Sequence, residues 1–178
     1  MPEGLVVLQE SRTALAPPPR RFREAGAVRA AWPCEGPFGR TAQRLRGSPA
    51  MRAGIRYERK VSKQLKLDLP GIWISPWFRF QTELGDTRWC QPDALLVGKD
   101  QVVLFEVKVR STSDAWWQLE KLYKPVVEKA FGRTVEGLVM VCKHFDPATT
   151  GLGGEPHHVF SFREASEARG FSVMQWRA

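Results

Sequence analysis

Two β-rich runs on either side of a turn constrain this chain most. Trp89–Val97 reads Trp-Cys-Gln-Pro-Asp-Ala-Leu-Leu-Val, Gly98-Lys99-Asp100 supplies turn residues, and Gln101–Val109 reads Gln-Val-Val-Leu-Phe-Glu-Val-Lys-Val. Apolar, β-branched runs separated by such a turn predict a hairpin. Side chains alternate across a strand, so Glu106 and Lys108 share one face while Val107 enters the apolar layer on the other. With Asp93 on the first arm, the hairpin brings two carboxylates and one amine toward a common place.

Those residue types suit a particular chemistry. Carboxylate oxygens are hard ligands for magnesium or manganese, which keep several waters and can take a substrate phosphate at the same time. Asp93 and Glu106 are the candidate metal ligands, and the backbone carbonyl of Val107 is a neutral third donor. A divalent ion there strengthens water as a nucleophile and offsets charge developing on a phosphate, while Lys108 orients the nucleophile or meets the transition-state charge. The competing reading is a solvated strand face with a weak Glu–Lys pair.

A third carboxylate lies upstream. Arg52–Leu67 places apolar Ile55, Val61 and Leu65 at helical spacing, and Glu58 falls three residues from both Ile55 and Val61, on or beside the inward face. Arg52, Arg56, Arg59, Lys60, Lys63 and Lys66 cover much of the remaining surface. An inward Glu58 can reach a metal or its water shell while its neighbours meet phosphates. The alternative is a boundary ion pair with Arg59, Lys60 or Lys63.

Together, Glu58 on a first helix, Pro92-Asp93 and Glu106-Val107-Lys108 resemble the PD-(D/E)XK nuclease superfamily, over Met51 to about Val141. The resemblance implies an α/β fold of the restriction-endonuclease-like kind, an αβββαβ core whose central mixed sheet is flanked by helices. It also implies a magnesium-dependent nuclease site. On that basis Asp93 and Glu106 correspond to the metal-binding carboxylates, Lys108 to the amine and Glu58 to the auxiliary carboxylate of the first helix.

Downstream, Ser113 is a candidate N-cap, Asp114 complements the dipole, and Ala115–Ala130 carries a helical pattern in which Pro125 predicts a kink or a break. Gln118 and Tyr123 are similar to the Gln-x-x-x-Tyr helix signature of the superfamily branch that contains phage exonucleases and recombination nucleases. Here the spacing is one residue longer. Gln118 is a candidate contact for the nucleophilic water or DNA, whereas Tyr123 is read as ordinary packing.

A formal net charge of +8 suits a polyanionic partner, because neutralising phosphates releases counterions. Beside the cations of the first helix, Arg110, Lys121, Lys124 and Lys129 are candidate backbone contacts. Composition does not separate DNA from RNA. Residues 1–50 differ in character: Ala14-Leu-Ala-Pro-Pro-Pro-Arg-Arg21, scattered Arg and Gly, and no lysine. They read as a flexible Pro/Arg-rich arm ahead of a nuclease-like domain at 51–178.

The Leu5–Leu8 run is too short to span a membrane, and Glu3 without a basic flank argues against a secretory signal, so a soluble protein of the cytoplasm is expected, nucleoid-associated if bacterial. Cys34, Cys90 and Cys142 encode neither a disulfide framework nor a zinc motif, and cannot alone supply an iron–sulfur cluster. Cys142, His144, His157 and His158 are poorly spaced for a metal.

Further strands are expected at Ile72–Gln81, bent near Pro76, at Glu136–Lys143, and at His157–Phe162 and Phe171–Trp176 around a helical turn at Arg163–Arg169. Trp116 and Trp117 are either base-stacking or core residues. The expected function is metal-dependent DNA hydrolysis, structure-selective in recombination, repair or phage DNA processing, acting as a homodimer or within a larger assembly. The alternative is a non-catalytic nucleic-acid-binding subunit on the same scaffold.

Overall fold

The computed structural model describes residues 23–37, 47–147 and 156–177. The first helix, α1 (Pro49–Asp68), starts where Ser48 Oγ accepts the Met51 N–H at 3.2 Å and Pro49 supplies a preset first turn. It buries Tyr57, Val61 and Leu65, one stripe at four-residue intervals, whereas Ile55 is only half-buried. Each fully buried aliphatic side chain of such a stripe contributes roughly 1.5–3 kcal/mol.

Among the described residues, nine strands form two sheets: β1 (Val28–Cys34), β2 (Trp73–Ile74), β3 (Trp77–Thr82), β4 (Thr87–Cys90), β5 (Ala94–Val97), β6 (Val102–Arg110), β7 (Gly137–His144), β8 (His157–Val159) and β9 (Gly170–Gln175). The larger sheet has the order β2-β5-β6-β7-β9-β8 and the smaller the order β1-β3-β4. In the larger sheet β2, β5 and β6 run antiparallel, and β6, β7, β9 and β8 run parallel. The chain is therefore α/β with a mixed sheet.

Strand β6 divides that sheet into two faces by simple alternation. Val103, Phe105 and Val107 face α1 and α4 (Phe162–Ser166), with Val139, Val141 and Phe162 in the same apolar cluster. Val102 and Leu104 face the other layer, which contains Leu119, Tyr123, Val126 and the inner residues Phe78 and Phe80 of the small sheet. At Gly137 a Cβ would meet the Ala168 carbonyl at 2.5 Å, so the close approach of β7 to the chain before β9 requires glycine.

Between β2 and β5 the chain changes sheets twice, each time next to a proline. The expected strand over Ile72–Gln81 is split between β2 and β3 at Ser75-Pro76, where Ser75 takes a left-handed φ of 50°. The expected first arm of the hairpin, Trp89–Val97, is split between β4 and β5 at Gln91-Pro92-Asp93. Proline cannot donate to a ladder, so both runs break there. The crossings are fastened to each other: the Ser75 N–H donates to the Asp93 carbonyl at 2.8 Å, and Gln91 Nε2 donates to the Ser75 carbonyl at 2.8 Å.

Within residues 1–50, expected as a flexible arm, the structure describes residues 23–37 and 47–50. Residues 1–22 and 38–46 lie outside the described residues, but Val28–Cys34 forms β1, paired antiparallel with β3, and α1 already begins at Pro49. The run Val-Arg-Ala-Ala-Trp-Pro-Cys has no clean alternation, and its order comes from burying Ala31 against the apolar cluster of Phe78 and Phe80.

The expected helix over Ala115–Ala130 is present as a nearly continuous rod with an internal irregularity: α2 (Ser113–Trp117), a π-helical turn (Gln118–Tyr123) and α3 (Lys124–Phe131). Thr112, not Ser113, caps it, its Oγ1 accepting the Asp114 N–H at 3.2 Å. Pro125 does not end the rod, which continues through it to Phe131. Proline leaves the carbonyl four residues earlier without its helical donor. That carbonyl, on Lys121, accepts the Ala25 N–H at 3.0 Å, so the segment before β1 repairs the gap. Among the described residues, no helix is long and apolar enough to cross a membrane.

Candidate active site

The β5–β6 ladder ends at Ala94 opposite Phe105, so one more step sets Asp93 opposite Glu106. There Asp93 Oδ2 accepts the Val107 N–H at 2.7 Å in place of a strand partner. A residue's N–H and C=O point to the same side of a strand, so the Val107 carbonyl lies on this same open edge of β6. Glu106 projects with Leu104 toward the helical layer, and its Oε1 meets Lys108 Nζ at 2.6 Å. The Glu106 side chain is only 4% exposed and that of Lys108 27%. Glu106 Oε2 is buried without a hydrogen-bond partner among the described residues.

Burial raises the Asp93 carboxyl well above the usual carboxylate range, and the charges of Glu106 and Glu58 push in the same direction against the Val107 amide and Lys108. Burial likewise raises Glu106; Lys108 and, more weakly, Asp93 pull it back, and Glu58 adds to the rise. For Lys108, burial favours the neutral amine, but Glu106, Asp93 and Asp114 together outweigh it and hold the ammonium above the ordinary lysine value. The cluster is thus rich in anionic charge, with one ammonium inside it.

Glu58 reaches this cluster from α1 and is half-buried. Among the described residues no ion pair joins it to Arg59, Lys60 or Lys63. It lines an open groove of about 400 Å³ with Arg59, Ser62, Lys63, Lys66, Ile74 and Ser75. Arg52, Arg56 and Lys60 are exposed along α1 but do not line that groove. Arg110 is exposed at the end of β6, level with His144 of β7. Lys121 lies over the Trp116 ring at 5.9 Å, and Lys124 pairs with Glu120 at 3.6 Å.

The extra residue between Gln118 and Tyr123 has a structural outcome. In an α-helix, residues five apart do not face one another, but a π-helical turn closes i to i+5. The turn spans Gln118 to Tyr123, and Gln118 Nε2 stands 3.5 Å from the Tyr123 hydroxyl. Gln118 therefore turns inward, its Oε1 buried without a partner among the described residues, and does not reach outward as a phosphate contact would. Tyr123 packs in the core as expected, yet its hydroxyl also belongs to the polar cluster. Burial first, then the charges of Glu106 and Asp93, hold its phenol well above the usual tyrosine range.

Among the described residues, no three His, Cys, Asp or Glu side chains are grouped to hold a metal by themselves. The donor set at Asp93 and Glu106 still fits a hard divalent cation. It has two carboxylates and a backbone carbonyl on one edge, an unpartnered Glu106 Oε2, and a neighbouring groove, and magnesium normally completes its shell with water and substrate phosphate. The three cysteines are free thiols, with Cys90 pushed up to about 12 and Cys142 to about 11 by burial. No model of a known protein family matches the chain, and no curated protein does.

Proposed function

We propose that the protein is a magnesium- or manganese-dependent nuclease that hydrolyses DNA phosphodiester bonds at Asp93, Glu106 and Lys108, on a PD-(D/E)XK-type scaffold. The order α1, antiparallel β2, β5 and β6, the helical rod, then parallel β7 supports an αβββαβ core with the β3–β4 hairpin inserted. The observation that carries the reading is the buried Glu106 carboxylate. It shares the site with Asp93 and Glu58, is paired with one ammonium, and keeps an oxygen, Oε2, without a hydrogen-bond partner among the described residues. A buried, self-repelling carboxylate cluster disfavours folding, and such arrangements concentrate at functional sites.

Asp93 and Glu106, with the Val107 carbonyl, would hold the ion, which when bound supplies a stronger water nucleophile and neutralises phosphate charge. Lys108 is fixed against Glu106 and presents its ammonium where charge develops on the phosphate. Glu58 adds an acceptor on the groove side. Tyr123 stays protonated and retains an O–H donor beside the carboxylates. Arg59, Lys63 and Lys66 offer the cations along which a phosphate backbone would run.

Glu106→Ala and Lys108→Ala test the assignment. Both should abolish metal-dependent cutting while leaving DNA affinity within about threefold of the parent, since the groove cations remain. Equal loss of binding and cutting would contradict the catalytic roles.

A further inference from the structure

The small sheet carries chemistry that the carboxylate cluster does not use. Trp32 of β1 is the register partner of Arg79 on β3, and Arg79 is in turn the partner of Trp89 on β4. Directly opposed residues of antiparallel strands share a face, so the three form one row across the sheet. Their face is the outer one. Phe78, Phe80 and Cys90, the alternate residues, are buried, whereas Trp32 is 42% and Trp89 45% exposed and Arg79 is exposed. The Arg79 guanidinium carbon lies 5.3 Å from the centre of the Trp32 ring. Among the described residues Arg79 has no acidic partner. The next row on this face, Gln81 opposite Thr87, is polar.

We propose that the Trp32–Arg79–Trp89 row is a stacking platform for unpaired nucleotides, a nucleic-acid contact separate from the hydrolytic cluster and from the groove of α1. Strands in a sheet are about 4.8 Å apart, so the two indoles stand roughly 10 Å from each other with a planar cation between them. That spacing accommodates successive bases of a single strand, each with a π face that indole or guanidinium can cover. Duplex bases are already stacked and paired, so only unpaired ones can use it.

Charge selects the occupant: a chain of net charge +8 with an uncompensated arginine at the platform's centre attracts phosphates. A two-fold contact between copies would instead bring Arg79 toward its own equivalent. Trp89 precedes Asp93 by four residues, so a strand held here lies on the segment that leads into the carboxylates.

The test is fluorescence anisotropy of the full chain with a labelled oligothymidylate of about fifteen nucleotides and with a blunt duplex of the same length, in chelator. Because nothing is cut, the result is independent of the hydrolytic reading. Trp32→Ala and Trp89→Ala should each weaken oligothymidylate binding about tenfold and duplex binding less than about twofold. Trp32→Phe and Trp89→Phe keep a ring and should stay within about threefold of the parent, separating lost stacking from lost folding. Alanine variants that bind the oligonucleotide like the parent would overturn the proposal, as would equal losses for both probes. A dimer of the parent chain that the alanine variants convert to monomer, with oligonucleotide binding unchanged, would overturn it in favour of a self-contact.

Discussion

Lys108→Met removes the ammonium from Glu106 and leaves a stem of similar length. The Glu106 carboxylate would then have neither water, at 4% exposure, nor a counter-charge, since the 2.6 Å contact is its ion pair. Breaking a buried pair from one side costs about 3–5 kcal/mol. Glu106 can limit that cost by taking up a proton, at about 1.4 kcal/mol for each pH unit between the solution and its carboxyl pKa. At pH 7.5 the expected loss is therefore near the lower bound, about 3 kcal/mol, or roughly 10 °C in Tm for a chain of this size.

The sign with pH follows from the carboxyl. Its folded pKa is already raised, so the folded state holds a proton that the unfolded state has released, and stability falls as pH rises through that window. Removing Lys108 raises the folded value further and widens the window, so the penalty should shrink to about 1 kcal/mol by pH 5. Lys108 itself is raised, and its contribution is lost only above the ordinary lysine range, so it is constant between these pH values. Glu106→Gln should cost less, about 1 kcal/mol, because Lys108 is partly exposed and can turn to water. Urea denaturation followed by tryptophan fluorescence at pH 7.5 and pH 5 measures all four quantities. Equal penalties for the two variants, or a Lys108→Met penalty that does not change with pH, would show that Lys108 is not the counter-charge of a buried Glu106 carboxylate.

Asp93→Asn keeps an oxygen for the Val107 N–H but removes a desolvated charge facing Glu106 and Glu58, so at pH 7.5 it should stabilise by about 1 kcal/mol. The gain should vanish as pH falls toward the ordinary aspartate range, which calorimetry across pH 4–8 would show. Deleting Glu120 should convert the π-helical turn to α-helix with Gln118 and Tyr123 still on one face, moving Tm by less than about 5 °C. A larger drop by circular dichroism would mean that the turn is not a simple one-residue insertion. Lys63→Gln should weaken DNA binding and reduce the slope of log affinity against log salt by about 1, measured with a Glu106→Ala background to prevent cutting.

The Glu106-x-Lys108 pair was legible because strand alternation leaves no other arrangement, and Asp93 because the hairpin turn at Gly98–Asp100 sets the register. Glu58 was legible from helical phase, although Tyr57, not Ile55, shares the buried stripe with Val61 and Leu65. Strand β1 was not, since its order rests on pairing with a strand some fifty residues later. The prolines at 76 and 92 announced breaks, but not that the chain changes sheets at each, which depends on the Ser75–Asp93 and Gln91–Ser75 hydrogen bonds. Likewise the Gln118–Tyr123 spacing looked like a departure from a helical face. Only the hydrogen-bond pattern shows that a π-helical turn absorbs the extra residue.

The most direct measurement is cleavage of labelled linear, single-stranded, flapped and four-way-junction DNA by the full chain, with magnesium or manganese and with chelator, beside Glu106→Ala. Metal-dependent cutting of at least one substrate, absent in chelator and in the variant, is the predicted result. Binding to these substrates with no cutting under either metal would contradict the account and favour a non-catalytic nucleic-acid-binding subunit.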